Sequence, residues 1–228
     1  MPNVAVAIPA HNAERTLSGL ISGLSNYVKR EDIFVVDDGS SDRTESVARE
    51  LGVWLLKHSE KRGKGTALRD AVVKILELGY DLIVTMDSDL QHDPSELSAF
   101  IAASKNCDVV VGDRMADSKR MPSHRLLSNT ITSRMISWRT RITIPDSQCG
   151  YRLYKAQVLK VVDSHCRYYD YESDILIKAA LSGFKIGSVP IKAIYNDSKS
   201  NIRVLDILRF VAVYVKSFRW SNDKNPTP

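Results

Sequence analysis

Apolar residues fall along this 228-residue chain in short blocks, and the blocks alternate with longer stretches of helical spacing. Val4-Ala5-Val6-Ala7-Ile8 is the first block, β-branched at alternate positions and closed by Pro9. Short runs of this kind predict buried parallel strands. The same reading predicts strands over 33–36, 53–56, 82–86, 109–111 and 186–189. Between them the apolar residues recur every three or four positions. That spacing predicts helices over 14–27, 43–51, 66–78, 95–104, 126–139 and 171–181. Ser182-Gly183-Phe184 supplies a glycine stop for the last of these. Strands alternating with helices imply an α/β fold, with a mostly parallel sheet and right-handed crossovers. The stretch 146–154 returns either to the sheet or to a site at its end.

In such sheets ligands bind beyond the carboxyl ends of the strands, and here those ends are polar. The fourth predicted strand runs into Asp87-Ser88-Asp89-Leu90-Gln91-His92. Positions i and i+2 of a strand share a face, so Asp87 and Asp89 would form a hard oxygen site suited to Mg²⁺ or Mn²⁺; the alternative is a pair of exposed turn acids after the strand. Such an ion is held by one or two carboxylates and completes its shell with substrate phosphates. The second strand ends in Asp37-Asp38-Gly39-Ser40-Ser41-Asp42, which is turn chemistry throughout. Ser41 or Asp42 can cap the next helix, and Asp37 or Asp38 can accept hydrogen bonds from a base or ribose. Arg62-Gly63-Lys64-Gly65 can bring backbone N–H groups and a cation to a diphosphate. It has neither Walker A nor GxGxxG spacing, so a plain turn is the alternative. His11, His58 and His92 lack metal-ligand spacing and read as hydrogen-bonding loop residues. Cys149 reads as a small buried residue.

Composition narrows the class. A hydrophobic share of 43% with 26% charged residues is that of an ordinary soluble globular protein. Three cysteines with no ligand spacing argue against a disulfide framework and for a reducing compartment. The first residues lack a basic n-region, so no secretory leader is expected. No run approaches the roughly 18 apolar residues of a membrane span. Net charge is +5, and residues 114–160 hold ten Lys and Arg against two acids. That segment is either a solvated basic face or a surface for an anionic partner. Nucleic acid is not expected, because the segment carries no aromatic stacking pattern or nucleic-acid-binding signature. Near the end, Val204, Ile207, Leu208, Val211, Val215 and Phe218 recur at helical spacing beside Arg203, Arg209, Lys216 and Arg219, and Trp220 ends the run. A basic amphipathic helix of this kind suits a membrane interface; the alternative is packing on the domain or on a second subunit.

Pro9-Ala10-His11-Asn12, Val36-Asp37-Asp38-Gly39-Ser40-Ser41-Asp42, Gly63-Lys64-Gly65 and Asp87-Ser88-Asp89-Leu90-Gln91-His92 together resemble, in order and spacing, the family-two inverting glycosyltransferases of GT-A fold. Within that family they are similar to the polyprenyl-phosphate sugar synthases, of which dolichol-phosphate mannose synthase is the best-known member. Asp146-Ser147-Gln148-Cys149-Gly150-Tyr151-Arg152 resembles that branch's stretch ending in Gly-Phe-Arg, and Gly112-Asp113-Arg114 resembles its Gly-x-Arg. The resemblance implies a GT-A, Rossmann-like sheet and a set of roles. Pro9, Asn12, Asp37, Asp38, Lys64 and Ser88 would line the nucleotide-sugar pocket, with Asp87 beside them. Asp89 and Gln91 would hold Mg²⁺ or Mn²⁺, with Asp87 sharing it directly or through water. Arg114, Arg125 and Ser128 would meet the acceptor phosphate. Two places depart from the pattern. Ala13-Glu14 stands where Glu-Glu is common, and Tyr195-Asn196-Asp197 stands where the dolichol-phosphate enzymes carry a basic residue, with Arg203 the nearest later cation.

The expected organisation is one GT-A domain over 1–200, with a nucleotide-sugar-binding half over 1–112 and an acceptor half over 113–200. An amphipathic helix over 201–220 and a disordered tail over 221–228 follow. The expected reaction moves a hexose from GDP-mannose or a UDP-sugar to a polyprenyl or dolichyl phosphate. It would run on the cytoplasmic membrane face, with the protein peripherally bound and a second copy or a separate membrane protein as a further partner. A lipid phosphate is already anionic at neutral pH and needs little base. Asp89, Arg114 and Arg125 would then carry the chemistry. A glycan or protein hydroxyl acceptor would need a base, for which Glu172 is the candidate; its other reading is an acid favoured at a helix start. Two rivals of other classes are a nucleotidyltransferase and a non-catalytic nucleotide-sugar-binding module.

Overall fold

The computed structural model describes residues 2–116, 121–192, 194 and 204–220. Tyr195-Asn196-Asp197, Arg203 and the tail over 221–228 lie outside the described residues. Seven strands form one sheet: β1 Val4–Ala10, β2 Ile33–Asp37, β3 Trp54–Lys57, β4 Leu82–Thr85, β5 Val109–Asp113, β6 Arg152–Lys155 and β7 Ile186–Pro190. Their spatial order is β3-β2-β1-β4-β6-β5-β7. All six predicted strands are present.

β6 runs antiparallel between β4 and β5, with Leu153 opposite Val84 and Val110. The other pairs are parallel. β1 to β3 step outward in one direction, and the chain then crosses back to place β4 on the other side of β1. That reversal opens a crevice at the carboxyl ends of β1 and β4, where α/β sheets take ligands. The stretch 146–154 thus does both things allowed for it, serving the site and then entering the sheet as β6.

The helices are α1 Leu17–Leu24, α2 Thr44–Glu50, α3 Lys64–Glu77, α4 Leu97–Ala103, α5 Ser123–Thr140, α6 Ala156–Val161, α7 Asp170–Leu181 and α8 Val204–Ser217. α3 packs on β1 and β2 through Ala67, Leu68, Ala71 and Ile75, all buried. α1 is shorter than its pattern predicts at both ends. At its start the N–H groups of Ala13 and Glu14 donate to Thr44 Oγ1 and Asp42 Oδ2, so tertiary bonds replace the first helical turn. The cap of α2 involves Asp42, whose Oδ1 accepts from the Thr44 N–H at 3.0 Å. Gly183 ends α7 with φ +85°, and its N–H and that of Phe184 satisfy the Ala180 and Ala179 carbonyls. No described helix is long and apolar enough to cross a membrane.

Candidate active site

The loops after β1 and β2 are tied to each other before any ligand is considered. Asn12 takes positive φ (54°); its side-chain oxygen accepts from the Ser41 N–H, and its own N–H donates to Ser40 Oγ. Asp37 is buried and closes an Asx-type turn by accepting from the Ser40 N–H at 2.9 Å. Asp38, also buried, reaches the glycine loop instead. It accepts from the N–H groups of Arg62 and Gly63, each at 2.8 Å, and lies 2.7 Å from His58 Nδ1. Burial would raise the Asp38 pKa, but these donors outweigh it and hold the carboxyl below its ordinary value. His58 Nε2 lies 3.1 Å from Asp70, and His11 Nδ1 meets the Asp38 carbonyl at 3.0 Å. Both histidines are hydrogen-bonding loop residues, as expected. Pro9, half-buried, lies in β1 directly beside Val36 of β2.

Gly63 takes φ +104°, and a Cβ there would collide with the Arg167 carbonyl. Only glycine fits the conformation that opens α3 at this point. The next residue, Lys64, turns into the centre. Its Nζ lies 2.7 Å from Asp87 Oδ1 and 2.9 Å from Glu172 Oε2, and 5.5 Å from the Tyr169 ring centroid. Burial works against the ammonium charge, yet the two carboxylates more than offset it and raise the Lys64 pKa. Burial likewise pushes the Asp87 pKa up, and Lys64, then His92 and Arg114, outweigh it, so this carboxyl stays ionised below its usual range. Glu172 is buried at the start of α7, and its Oε1 has no partner among the described residues.

Asp89 behaves oppositely. Burial first, and then the charge of Asp87, raise its pKa. Its carboxylate accepts from the Gln91 N–H at 3.1 Å and the Gln91 side-chain amide at 2.8 Å. Ser88 is half-buried between the two acids. His92 is buried beside Asp87 (3.9 Å) and against Tyr151, and burial lowers its pKa to about 4. The donor set fits a hard divalent cation: two carboxylates, one of which resists ionising because it is buried and because the other is already charged. Among the described residues no group of three or more His, Cys, Asp and Glu side chains could complete a metal shell alone. An ion held by Asp87 and Asp89 would therefore take further oxygens from its substrate.

Arg114 follows β5, and its charge reaches Asp87 and His92. It grips the fully buried Asp146 with Nε and one terminal nitrogen, at 2.7 and 3.1 Å. Arg125 and Ser128 lie in the first turns of α5, the first half-buried and the second exposed. Arg152 anchors the stretch between them. It is 1% exposed and donates to the carbonyls of Cys149, Ser147 and Glu172, each at 2.7 Å. Gly150 lies so close to the centre that a Cβ would sit 2.5 Å from Asp87 Oδ2 and 3.0 Å from Lys64 Nζ. Cys149 is buried, and burial pushes its thiol up to about 12. All three cysteines are free.

Residues 5–174 match the family described as Glycosyl transferase family 2. The chain belongs to that family. It is 32% identical over 218 residues to a UDP-N-acetylglucosamine–dolichyl-phosphate N-acetylglucosaminyltransferase of Methanococcus voltae, covering 85% of this chain and 86% of that one. It is 30% identical to an undecaprenyl-phosphate mannosyltransferase of Micrococcus luteus, covering 82% of each. In fold it is similar to glucosyl-3-phosphoglycerate synthase of Mycobacterium tuberculosis in complex with Mn²⁺, UDP-glucose and phosphoglyceric acid. The TM-score is 0.74 at 19% identity, over 97% of this chain and 81% of that one. The resemblance drawn from the motifs, and the GT-A sheet it implied, thus hold.

In this family 2 glycosyltransferase the structure brings Lys64, Asp87, Asp89, Gln91 and Glu172 together at one crevice, with Asp38 beneath the glycine loop. Sequence reasoning did not assign roles to Asp146, Arg152, Gly150 or Tyr169. The first three lay inside a quoted motif, so their importance was visible while their partners were not. Tyr169 carries no sequence signal; its place over Lys64 comes from how α7 packs.

Proposed function

We propose that this glycosyltransferase moves a hexose, with inversion, from a nucleotide-sugar to a polyprenyl phosphate, using Mg²⁺ or Mn²⁺ at Asp87 and Asp89. The observation that carries the reading is the position of Asp87. It is ion-paired to Lys64 of the glycine loop, and the charge of Arg114 of the basic segment also reaches it. A diphosphate and an acceptor phosphate can therefore meet near one point. Residues 1–112 make the donor half, with Pro9, Asn12, Asp37, Asp38, Lys64 and Ser88 around the nucleotide-sugar. Residues 113–200 make the acceptor half, with Arg114, Arg125 and Ser128 toward the phosphate.

In the transfer, an acceptor phosphate oxygen attacks the anomeric carbon as the bond from that carbon to the diphosphate oxygen breaks, and the nucleoside diphosphate leaves. A divalent ion, held by Asp87 and Asp89, would supply charge neutralisation for the leaving diphosphate. Lys64 adds a fixed positive charge on the donor side, and the arginines orient the acceptor by the match of guanidinium to phosphate. The attacking oxygen is already anionic, so no residue need remove a proton. The names of the Methanococcus and Micrococcus relatives, both transferases to polyprenyl-type phosphates, support this acceptor class. The lipid acceptor implies work at the cytoplasmic membrane face, with α8 as a peripheral contact.

The test begins with a thermal-shift panel of GDP- and UDP-sugars with Mn²⁺, since the right donor raises apparent stability by mass action. Transfer from that donor to a short-chain polyprenyl phosphate follows. The expected result is turnover by the wild type and none by Asp89→Ala. Transfer to a glycan hydroxyl, with none to the lipid phosphate, would overturn the acceptor assignment.

A further inference from the structure

We propose that Tyr169 is a donor-binding residue, whose hydroxyl donates a hydrogen bond to the diphosphate of the bound nucleotide-sugar while its ring covers Lys64. This rests on the donor reading above and adds a contact that neither the motifs nor the ion pairs of the crevice supply.

The segment before α7 is built onto the glycine loop. The Thr66 N–H donates to the Arg167 carbonyl at 3.2 Å. A Cβ on Gly65 would sit 2.6 Å from the Cys166 carbonyl oxygen and 2.7 Å from that of Tyr168, so backbone meets backbone with no room for a side chain. Residues 166–168 and 63–66 therefore hold one arrangement, and the side chains that follow are placed with respect to Lys64. Those side chains are two tyrosines in succession, and their surroundings differ. The Tyr168 ring packs against Gly63 and carries the Arg209 guanidinium 3.7 Å from its centroid. Arg209 is held in turn by Asp206 at 2.8 Å. Tyr168 is half-buried and serves the packing of α8 on the loop. Tyr169 is 39% exposed. Its ring centroid lies 5.5 Å from Lys64 Nζ, and among the described residues its hydroxyl has no hydrogen-bond partner. An aromatic side chain that the core does not take up, at the mouth of a polar crevice, is placed for a ligand.

The surrounding charges set what the hydroxyl can do. Burial raises the Tyr169 pKa; Lys64 opposes the rise, and Asp87, Asp206 and Glu172 add to it. The phenol therefore keeps its proton at neutral pH and offers it to an acceptor. Asp87 and Glu172 are already paired with Lys64, at 2.7 and 2.9 Å. The acceptor that fits is an anionic oxygen brought in from outside. A diphosphate drawn to Lys64 carries such oxygens, and a hydrogen bond to a charged oxygen is stronger than a neutral one. The ring also shields Lys64 from water on one side, and a less hydrated ammonium attracts the diphosphate more strongly.

The test is calorimetric binding of UDP and of GDP to the full chain in Mn²⁺. For whichever diphosphate the wild type takes, Tyr169→Phe should weaken binding by about tenfold. The matching nucleotide-sugar should lose affinity by the same factor. Tyr169→Ala should lose more, because the cover over Lys64 goes as well. The thermal midpoint of the unliganded protein should hold in both variants, since the side chain is exposed and unbonded. If Tyr169→Phe binds the diphosphate as the wild type does and only Tyr169→Ala is weak, the ring alone acts, through Lys64, and the hydroxyl contact is wrong. A loss for the nucleotide-sugar with none for the diphosphate moves the contact to the hexose and overturns the proposal likewise. A midpoint that falls in Tyr169→Phe along with the affinity makes the hydroxyl structural and also overturns it. A wild type that binds neither diphosphate refutes the donor reading itself, which is a different failure from an insensitive Tyr169→Phe.

Discussion

Glu172→Gln separates two roles for the same carboxylate. The structure places Glu172 Oε2 2.9 Å from Lys64 Nζ, with the side chain only 8% exposed and the lysine 15%. At that distance and an effective dielectric near 20, the attraction is about 6 kcal/mol before the desolvation of both groups is subtracted. Glutamine keeps the shape and one acceptor but loses the charge, and a charge-assisted hydrogen bond is roughly twice as strong as a neutral one. Asp87 still holds Lys64 at 2.7 Å, and one of two neighbouring anions has been removed. The net loss should therefore be modest, about 1–2 kcal/mol.

Lys64→Met is the harsher change. It leaves the Asp87 and Glu172 carboxylates with no cation between them, and it should cost about 3–5 kcal/mol. Adding Glu172→Gln to Lys64→Met should recover part of that loss. Urea unfolding at neutral pH gives the stabilities, and steady-state transfer gives kcat and KM. If Glu172 serves Lys64, Glu172→Gln should leave kcat within about tenfold of wild type while KM for the donor rises. A fall in kcat of about 10²–10⁴ with an unchanged unfolding midpoint would mean that Glu172 is a general base, and the counter-ion argument would be wrong.

Arg152→Met removes the donor to three buried carbonyls and should cost about 3–5 kcal/mol, read as a lower urea midpoint. Arg152→Lys should recover little, because one ammonium cannot reproduce the guanidinium fork. Gly150→Ala puts a methyl against Asp87 and Lys64 and should reduce donor affinity in the thermal-shift assay; wild-type binding would show that the loop yields easily. Asp38 supplies the pH dependence. Its folded pKa is depressed, so its stabilisation is fully present above its unfolded pKa of about 3.9 and is lost as pH falls through the folded value. Asp38→Asn should lower stability at neutral pH and flatten the loss on acidification. Parallel acid-unfolding curves would count against this.

What could be read from the chain was what lies close in sequence. β4 and its acids were plain because an apolar run ends at Asp87 and Asp89; the strand itself stops at Thr85, so the two acids lie in the turn beyond it and the period of a strand does not set their common face. β6 was harder to see. Its first residue, Arg152, is charged and buried, a combination that makes sense only once carbonyls from positions 147, 149 and 172 surround it. The partners of Lys64 lie at 87 and 172, and that of Arg114 at 146. No spacing rule reaches across such separations. α5 hid which side it buries because its inward side is polar: Ser133 bonds to the Ser147 hydroxyl and accepts from its N–H. A helix with polar residues inside and apolar ones outside reads as weakly amphipathic, whichever way it faces.

The pairing of the cations explains why one lysine needs two acids while Arg114 has a buried one to itself. Asp146 is fully buried and binds the guanidinium through both oxygens, so it fixes the direction of Arg114 and has no access to a ligand. Asp87 is different, being 30% exposed and the neighbour of Asp89. In the proposed reaction it is the acid that would be open to a divalent ion. Lys64 would then lose its nearer partner at the moment its charge is needed, unless something else held it in place. Glu172 does so, being almost closed to solvent and tied through its own carbonyl to Arg152. The same tether joins α7 to the stretch carrying Gly150, so the side chain that keeps Lys64 in position is set by the segment that leaves room for Asp87.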